Sequence, residues 1–380
     1  MKILEVSVHF SPSVGGVETH LNDLNSALLK RRHKVFVLTY QPLMTRVSWK
    51  FFEKKDDLSI LRIPWIPGFF YRLVSKPLLE FLYLSPALFI VFPFVFIWQK
   101  SDVIHTHGLI AGFLGVFWGK IFGKKVITTT HSLYNFPGKG LYRKFAFWIF
   151  NNSNCVLTLS KQSANEIEKL GVNPSKIKVF TYWIDLDKFK SKYTKFMAKK
   201  KLKLENKFVA LFVGRLVEEK GVLELLKAVK IWNKKINLVV IGTGPLENKV
   251  KNRESEIKNI VYLGKVDNDN LPIYYNAADV VIVPSTHEEG FGRVILESLA
   301  LGTPVIASNR GAIPEAMDKS VGKLIRVTPE NIKDTVEYFY KNQKELKRLS
   351  KNARRFVEKR YSEKNAETII QAYINNGFRV

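Results

Sequence analysis

Short apolar runs, separated by stretches with helical periodicity, recur along most of this chain. In the first half, Ile3 to Val8, Val35 to Thr39, Val103 to His107, Val126 to Thr130 and Val156 to Ser160 predict strands. After the first of them, Gly15 and Gly16 open a helix that places Val17, Leu21, Leu24 and Leu28 on one face. Strands that read as continuous apolar runs and are joined by helices predict a parallel sheet covered on both faces. The alternation fades between Lys188 and Lys207, a lysine-rich stretch with little periodicity, and then restarts. Phe208 to Val213, Leu238 to Ile241, Ile260 to Leu263, Val280 to Pro284 and Pro304 to Ala307 predict a second set of strands, with Val222 to Ile231 a helix among them. The expected organisation is a first doubly wound domain over residues 1–187, a linker over 188–207, a second doubly wound domain over 208–351, and a helical segment over 352–380 that packs back on either domain.

Composition narrows this picture. A chain of 380 residues is too long for one compact core and suits two domains. With 46% hydrophobic and 25% charged residues it is globular. A formal net charge of +26 calls for an anionic partner, either nucleic acid, an anionic membrane surface or a phosphorylated substrate; a lysine-rich proteome gives the same bias. No RNA-binding signature or zinc-finger spacing is present, so nucleic acid is not expected as a partner. The single cysteine, Cys155, excludes an intrachain disulfide and a cysteine-built zinc site, and fits a reducing compartment. MKILEVSVHF reads as a first strand rather than a signal peptide. Phe81 to Gln99 carries no charge over nineteen residues, long enough to span a bilayer, although Pro86 and Pro93 interrupt it. A membrane span, a membrane-facing or acceptor-lining segment and a buried helix all remain open for it.

Candidate chemistry gathers where the strands end, because ligands of open parallel sheets bind beyond the carboxyl ends of the strands. His9, His107, His131 and the Gly15–Gly16 turn fall on one such rim, and a Gly-Gly turn opening a helix lets backbone amides approach an anion. In the second half, Arg215 and Lys220 follow the strand ending at Gly214 and are placed to neutralise a diphosphate. Gly242-Thr-Gly244 lacks the third glycine of a dinucleotide fingerprint and reads as a turn. His105 and His107 share one face of a strand, but no acidic residue accompanies them in sequence; Asp185-Leu-Asp187 reads as a turn or cap. No metal site is expected. HEEGFGRVILE, residues 287–297, puts Glu289 before a helix and Glu297 within it. At 1.5 Å per residue the two carboxylates would be about 12 Å apart if all eight steps were helical. Paired glycosidase carboxylates are about 5 to 9.5 Å apart, so two separate roles fit better than one acid/base pair.

Taken together, EEGFGRVILE with its E-x7-E spacing, GGVE, GRLVEEKG and LGTPVIASNRGAIPE resemble the family 4 retaining glycosyltransferases of the GT-B fold, over nearly the whole chain. SPSVGGVETHL and IHTHG are similar to its lipid-directed members, such as the phosphatidylinositol glycosyltransferases. The resemblance implies two Rossmann-like domains facing a central cleft, and a nucleotide sugar as co-substrate, with UDP the first expectation for the nucleotide and GDP-mannose the second. It implies that Glu289 meets the donor sugar, with Gly290, Phe291 and Gly292 presenting backbone amides. It implies further that Glu297 holds the ribose, Arg215 and Lys220 clamp the leaving diphosphate, and Gly15 and Gly16 approach it from the first domain. Val266 would meet the base through its backbone, Arg293 and Val294 would complete the donor site, and His131 would lie beside the sugar on the acceptor side.

Such enzymes need no metal or other cofactor. Two departures stand out: Tyr182-Trp183 replaces the usual Asn-Gly, and Arg293 occupies a position more often apolar. The expected activity is hexosyl transfer to a lipid-linked or membrane-proximal glycan acceptor, in the cytoplasm, peripheral on the inner face of the cell membrane. The alternatives are a sugar-nucleotide epimerase of the same fold, transfer to a soluble small molecule, and a non-catalytic nucleic-acid binder.

Overall fold

The computed structural model describes every residue except 14, 44–46, 67–75, 191 and 376–380. The chain forms two compact units, one of residues 1–182 with 363–380, the other of residues 183–362. The first contains a sheet of eight strands: β1 (Lys2–Ser7), β2 (Lys34–Tyr40), β3 (Phe52–Lys55), β4 (Leu58–Ile63), β5 (Val103–His107), β6 (Val126–Thr130), β7 (Cys155–Thr158) and β8 (Ile177–Val179). Their spatial order is β3-β4-β2-β1-β5-β6-β7-β8, all parallel but β3, which pairs antiparallel with β4. The helices are α1 (Gly16–Lys30), α2 (Pro77–Gln99), α3 (Gly108–Ile121), α4 (Leu141–Asn152) and α5 (Lys161–Glu168).

Strand order reverses at β1, which has β2 on one side and β5 on the other. The parallel register sets Glu5 opposite His105 and Ser7 opposite His107, so β1 and β5 bring a carboxyl and two imidazoles onto one face. Helix α3 seats closely on the sheet because its inner stripe is glycine. A Cβ at Gly115 would collide with the Thr106 methyl, and one at Gly119 with a Val126 methyl.

The second unit has helix α6 (Lys195–Lys201) and then six parallel strands: β9 (Phe208–Val213), β10 (Ile236–Ile241), β11 (Ile260–Tyr262), β12 (Val280–Val283), β13 (Val305–Ser308) and β14 (Gly322–Ile325), in the order β11-β10-β9-β12-β13-β14. The connections carry α7 (Val222–Ile231), α8 (Glu247–Glu256), α9 (Leu271–Ala277), α10 (Arg293–Ala300) and α11 (Ile313–Ala316); α12 (Pro329–Lys341) and α13 (Gln343–Arg360) follow the last strand. The order reverses at β9, so ligands are expected beyond the carboxyl ends of β9 and β12.

Three expectations need correction. Residues 188–207 are not a plain linker: α6 lies there, capped by the Thr194 hydroxyl, and Lys199 Nζ donates to Asp279 Oδ2 at 2.6 Å within the second unit. The lysines hid this because only Ala198 of the helix is buried. The domain boundary falls at 182/183 rather than 187. The helical segment expected from residue 352 onward divides between the units: α13 belongs to the second unit, and α14 (Ala366–Asn375) packs back into the first, as the expectation allowed. There Tyr373 Oη meets His105 Nδ1 at 2.8 Å. Pro86 and Pro93 do not break the apolar stretch, which is one helix from Pro77 to Gln99.

The glycine stripe gives a test. Gly115→Leu should destabilise the chain by about 1–3 kcal/mol, through overpacking of α3 against β5. An unchanged urea midpoint would show that α3 is not seated on the sheet.

Candidate functional site

In the second unit the site is assembled by two loops clamped together at the reversal point. Residues 218–220 form a single 3-10 turn after β9, and residues 284–289 follow β12. Thr286 donates its amide to Glu219 O at 2.9 Å, and its hydroxyl meets Glu218 O at 3.1 Å. Gly221, at φ +71°, lets the turn approach this closely, since a Cβ there would overlap the Pro284 carbonyl. Gly311, at φ +56°, does the same on the other side, where Ala312 donates its amide to Glu289 O at 2.9 Å.

The clamp fixes one ion pair. Lys220 Nζ donates to Glu289 Oε1 at 2.7 Å, and the Ser285 hydroxyl donates to the same oxygen. Glu289 is 7% exposed. Burial alone would push its carboxyl up, but the Lys220 ammonium and the Lys220 and Ser285 hydrogen bonds hold it below the usual carboxylate range, so it is ionised at neutral pH. Arg215 is exposed on the loop after β9. That loop runs against Gly242 and Gly244: Leu216 donates its amide to Thr243 O at 2.9 Å, and a Cβ at either glycine would strike the Gly214 or Leu216 carbonyl. These two glycines, read from sequence as a turn, are what allow the Arg215 loop to lie backbone to backbone on its neighbour. Gly242 in turn donates to Gly264 O at 2.8 Å, placing the half-buried Val266 on the same rim.

Helix α10 begins at Gly292, which adopts φ +86° as its N-cap, with Gly290 and the buried Phe291 just before it. Val294 is half-buried in the first turn. Glu297, further along, accepts from Tyr275 Oη at 2.7 Å and lies 3.5 Å from Arg293 Nε. Glu289 is thus held by Lys220 and Ser285, and Glu297 by Tyr275 and Arg293. Arg293 is buried and turned towards Glu297 and the Trp183 carbonyl, 3.5 Å from its Nη1. Arg293 thus meets the main chain of Trp183, half of the other departure from the family pattern. Ser285 and Tyr275, which sequence reasoning missed, carry no motif; only the fold aims them at Glu289 and Glu297.

In the first unit the carboxyl ends of β5 and β6 bring His107 and His131 together, whereas His9, at the end of β1, bonds back to Ser7. His107 Nδ1 lies 3.1 Å from His131 Nε2, and His131 Nδ1 lies 3.2 Å from Tyr182 Oη. Both nitrogens of His131 are therefore engaged within the protein, and burial lowers its pKa to about 3. His131 is thus a neutral ring held at both nitrogens. Tyr182, flagged only as a departure, is the residue that fixes it.

His105 is held at Nε2 by Thr129 Oγ1 at 2.7 Å and at Nδ1 by Tyr373 Oη at 2.8 Å. The acidic companion absent from the local sequence is Glu5, one strand away; donor atoms of Glu5, His105 and His107 lie within 4.8 Å of one another. Burial raises the Glu5 carboxyl to about 8, with Asn25 pulling it partly back, and both His105 nitrogens are already occupied. At the Gly-Gly turn, Gly15 is extended and Gly16 starts α1, but the buried Glu18 carboxylate folds over Gly15 where an anion would approach. Asp185 caps its own turn through Oδ1, accepting from the amides of Asp187 and Lys188.

Comparison with known proteins places these features. Residues 14–188 match the family described as Glycosyltransferase Family 4, and residues 194–356 the family described as Glycosyl transferases group 1. An uncharacterized glycosyltransferase of Methanocaldococcus jannaschii is 26% identical, over 87% of this chain and 86% of its own. A 41.2 kDa protein of the Klebsiella pneumoniae cps region, also uncharacterized, is 32% identical over 64% and 71%. The phosphatidylinositol N-acetylglucosaminyltransferase gpi3 subunit of Schizosaccharomyces pombe is 23% identical over 87% and 71%. Among solved structures, sucrose-phosphate synthase from Thermosynechococcus elongatus superposes with a TM-score of 0.82 at 22% identity, covering 98% of each chain, which shows the shared GT-B fold.

The ion pair makes stability depend on acid. Because the folded pKa of Glu289 lies below its ordinary value of 4.5, the pair contributes fully above that value and is lost as pH falls through the folded pKa. Urea midpoints of the wild type and Glu289→Gln should therefore differ most at neutral pH and converge in acid. A gap that is constant with pH would remove the ion pair from the account.

Proposed function

The chain belongs to the group 1, family 4 glycosyltransferases of the GT-B fold, and from that premise we propose that it is a retaining, metal-independent hexosyltransferase that moves a sugar from a nucleotide-sugar donor to a lipid-linked glycan acceptor. The observation that carries the donor reading is the Lys220–Glu289 pair at 2.7 Å, locked by the clamp between residues 218–220 and 284–289. A buried carboxylate kept ionised accepts hydrogen bonds from sugar hydroxyls. An ammonium beside it faces charge that grows on a departing diphosphate. Arg215, exposed on the adjoining loop, supplies a second cation to the same diphosphate.

Glu297, with Tyr275 already donating to one oxygen, retains acceptor capacity for the ribose hydroxyls. Gly290, Phe291 and Gly292 precede the amino end of α10, where backbone amides favour phosphate. Val266, on the rim beside Gly264, contacts the base through its main chain. The nucleotide is UDP in this reading, with GDP-mannose as the second choice.

Retention follows from attack on the face the leaving group departs from, with the diphosphate taking the acceptor's proton. His131, neutral and held by His107 and Tyr182, offers a fixed, uncharged wall rather than a base. The similarity to the gpi3 subunit supports a lipid-linked acceptor. The buried free thiol Cys155 suits the cytoplasmic side of the membrane.

Incubation with UDP-sugars and a lipid-linked acceptor, read by proton NMR at the new anomeric centre, should show the donor's configuration retained. An inverted product, or isomerised donor with no acceptor present, would contradict this reading. Lys220→Ala should lower kcat by about 10²–10³-fold, the usual cost of removing one charge-stabilising group. An unchanged kcat at saturating donor would remove Lys220 from the step.

A further inference from the structure

Helix α2 is apolar all round, yet only one side of it is covered. Leu84, Leu88, Phe92, Val95 and Phe96 are buried and belong to the core of the first unit. The opposite stripe is open: Leu82 is 65% exposed, Ile90 64%, Phe94 70%, Ile97 61% and Trp98 63%. With the exposed Pro86 between Leu82 and Ile90, these positions form one face roughly 22 Å long from Leu82 to Ile97 at 1.5 Å per residue. The face extends sideways at its carboxyl end, where Trp98 packs 6.2 Å from the ring of Phe52, itself 40% exposed. Soluble proteins rarely leave so large a contiguous apolar surface open.

Its surroundings say what covers it. Lys100 ends α2 and is exposed, as are Lys124, which lies 6.0 Å from the Phe96 ring, and Lys125. No acidic residue lies on α2 after Glu80 in the first turn. An aliphatic and aromatic face with tryptophan at one end and a cluster of lysines beside it matches the interface of an anionic bilayer, where indole rings sit at headgroup level and ammonium groups meet phosphate. The helix cannot span that bilayer, because its other side is part of the core and leaving it would strip Leu84, Leu88, Phe92, Val95 and Phe96 of their cover.

We propose that the outward face of α2, with Trp98, Phe52 and the lysines at 100, 124 and 125, is a docking surface that lies in the plane of an anionic membrane. The inference does not depend on the donor site, and no residue of it belongs to the transfer machinery. A chain so docked collects a lipid-linked acceptor from the surface on which it rests.

Vesicle flotation of the full chain tests this. The wild type should float with vesicles of phosphatidylcholine and phosphatidylglycerol, and the double variant Phe94→Glu, Ile97→Glu should partition about tenfold less or weaker still, from the apolar burial withdrawn. The thermal midpoint and transfer to a water-soluble acceptor analogue should stay unchanged in that variant. Should the variant not fold, fluorescence of the unaltered chain answers instead: brominated phosphatidylcholine mixed with phosphatidylglycerol should quench it, and Trp98→Phe should lose most of that quenching. Absence of wild-type flotation, flotation unaffected by the two glutamates, or quenching that does not depend on Trp98 would overturn the proposal. So would a stable dimer by analytical ultracentrifugation that buries this face and persists with vesicles present. If docking fails while transfer to the soluble analogue succeeds, the transferase reading stands without it.

Discussion

The contact on which the second unit's chemistry depends is the ion pair between Lys220 and Glu289. A carboxylate that is 7% exposed stays charged only if something compensates the water it has lost. Here an ammonium and a serine hydroxyl converge on one oxygen. The geometry is costly to assemble, since it needs two loops from separate strands to touch backbone to backbone. Gly221 and Gly311 make that approach sterically allowed, and the Thr286 bonds to residues 218 and 219 hold it. Without the clamp, Lys220 would be one more lysine in a chain of net charge +26.

The first unit manages buried polarity differently. It places a carboxyl and two histidines inside the sheet and a third, half-buried, just past the end of β6, and keeps them neutral. Glu5 is pushed up to about 8, and His105 and His131 down to about 3, by the same loss of water. Hydrogen bonds from Thr129, Tyr373, Tyr182 and between the rings themselves satisfy most of the nitrogens. One unit thus carries a stabilised charge, and the other a set of neutral, hydrogen-bonded rings.

Much of the architecture was legible in the chain. The strands buried on both faces read as unbroken apolar runs, so Val103–His107, Val126–Thr130 and Phe208–Val213 were placed to the residue. The edge strands β3 and β8 were not, because edge positions are half exposed and carry no such run. Helix α6 was lost among lysines that bury a single alanine. In the candidate site, residues with a motif around them could be named from the chain and those without could not. Glu289, Glu297 and Lys220 stand in recognisable spacings; Ser285 and Tyr275 do not. Glu5 was invisible for a sharper reason: its neighbours are the histidines of β5, a hundred residues away, and only the β1–β5 register joins them. Tyr182 was seen as a departure from a pattern, whereas its role as the partner of His131 needed the fold.

The central claim is that the second unit holds a nucleotide sugar in one orientation along β9, β12 and α10. A crystal structure of the chain soaked with a UDP-sugar tests it most directly. The account predicts the diphosphate at Lys220 and Arg215, the sugar hydroxyls on Glu289 and the ribose on Glu297. A donor bound with its ribose away from Glu297, or with its phosphates away from Lys220, would contradict it.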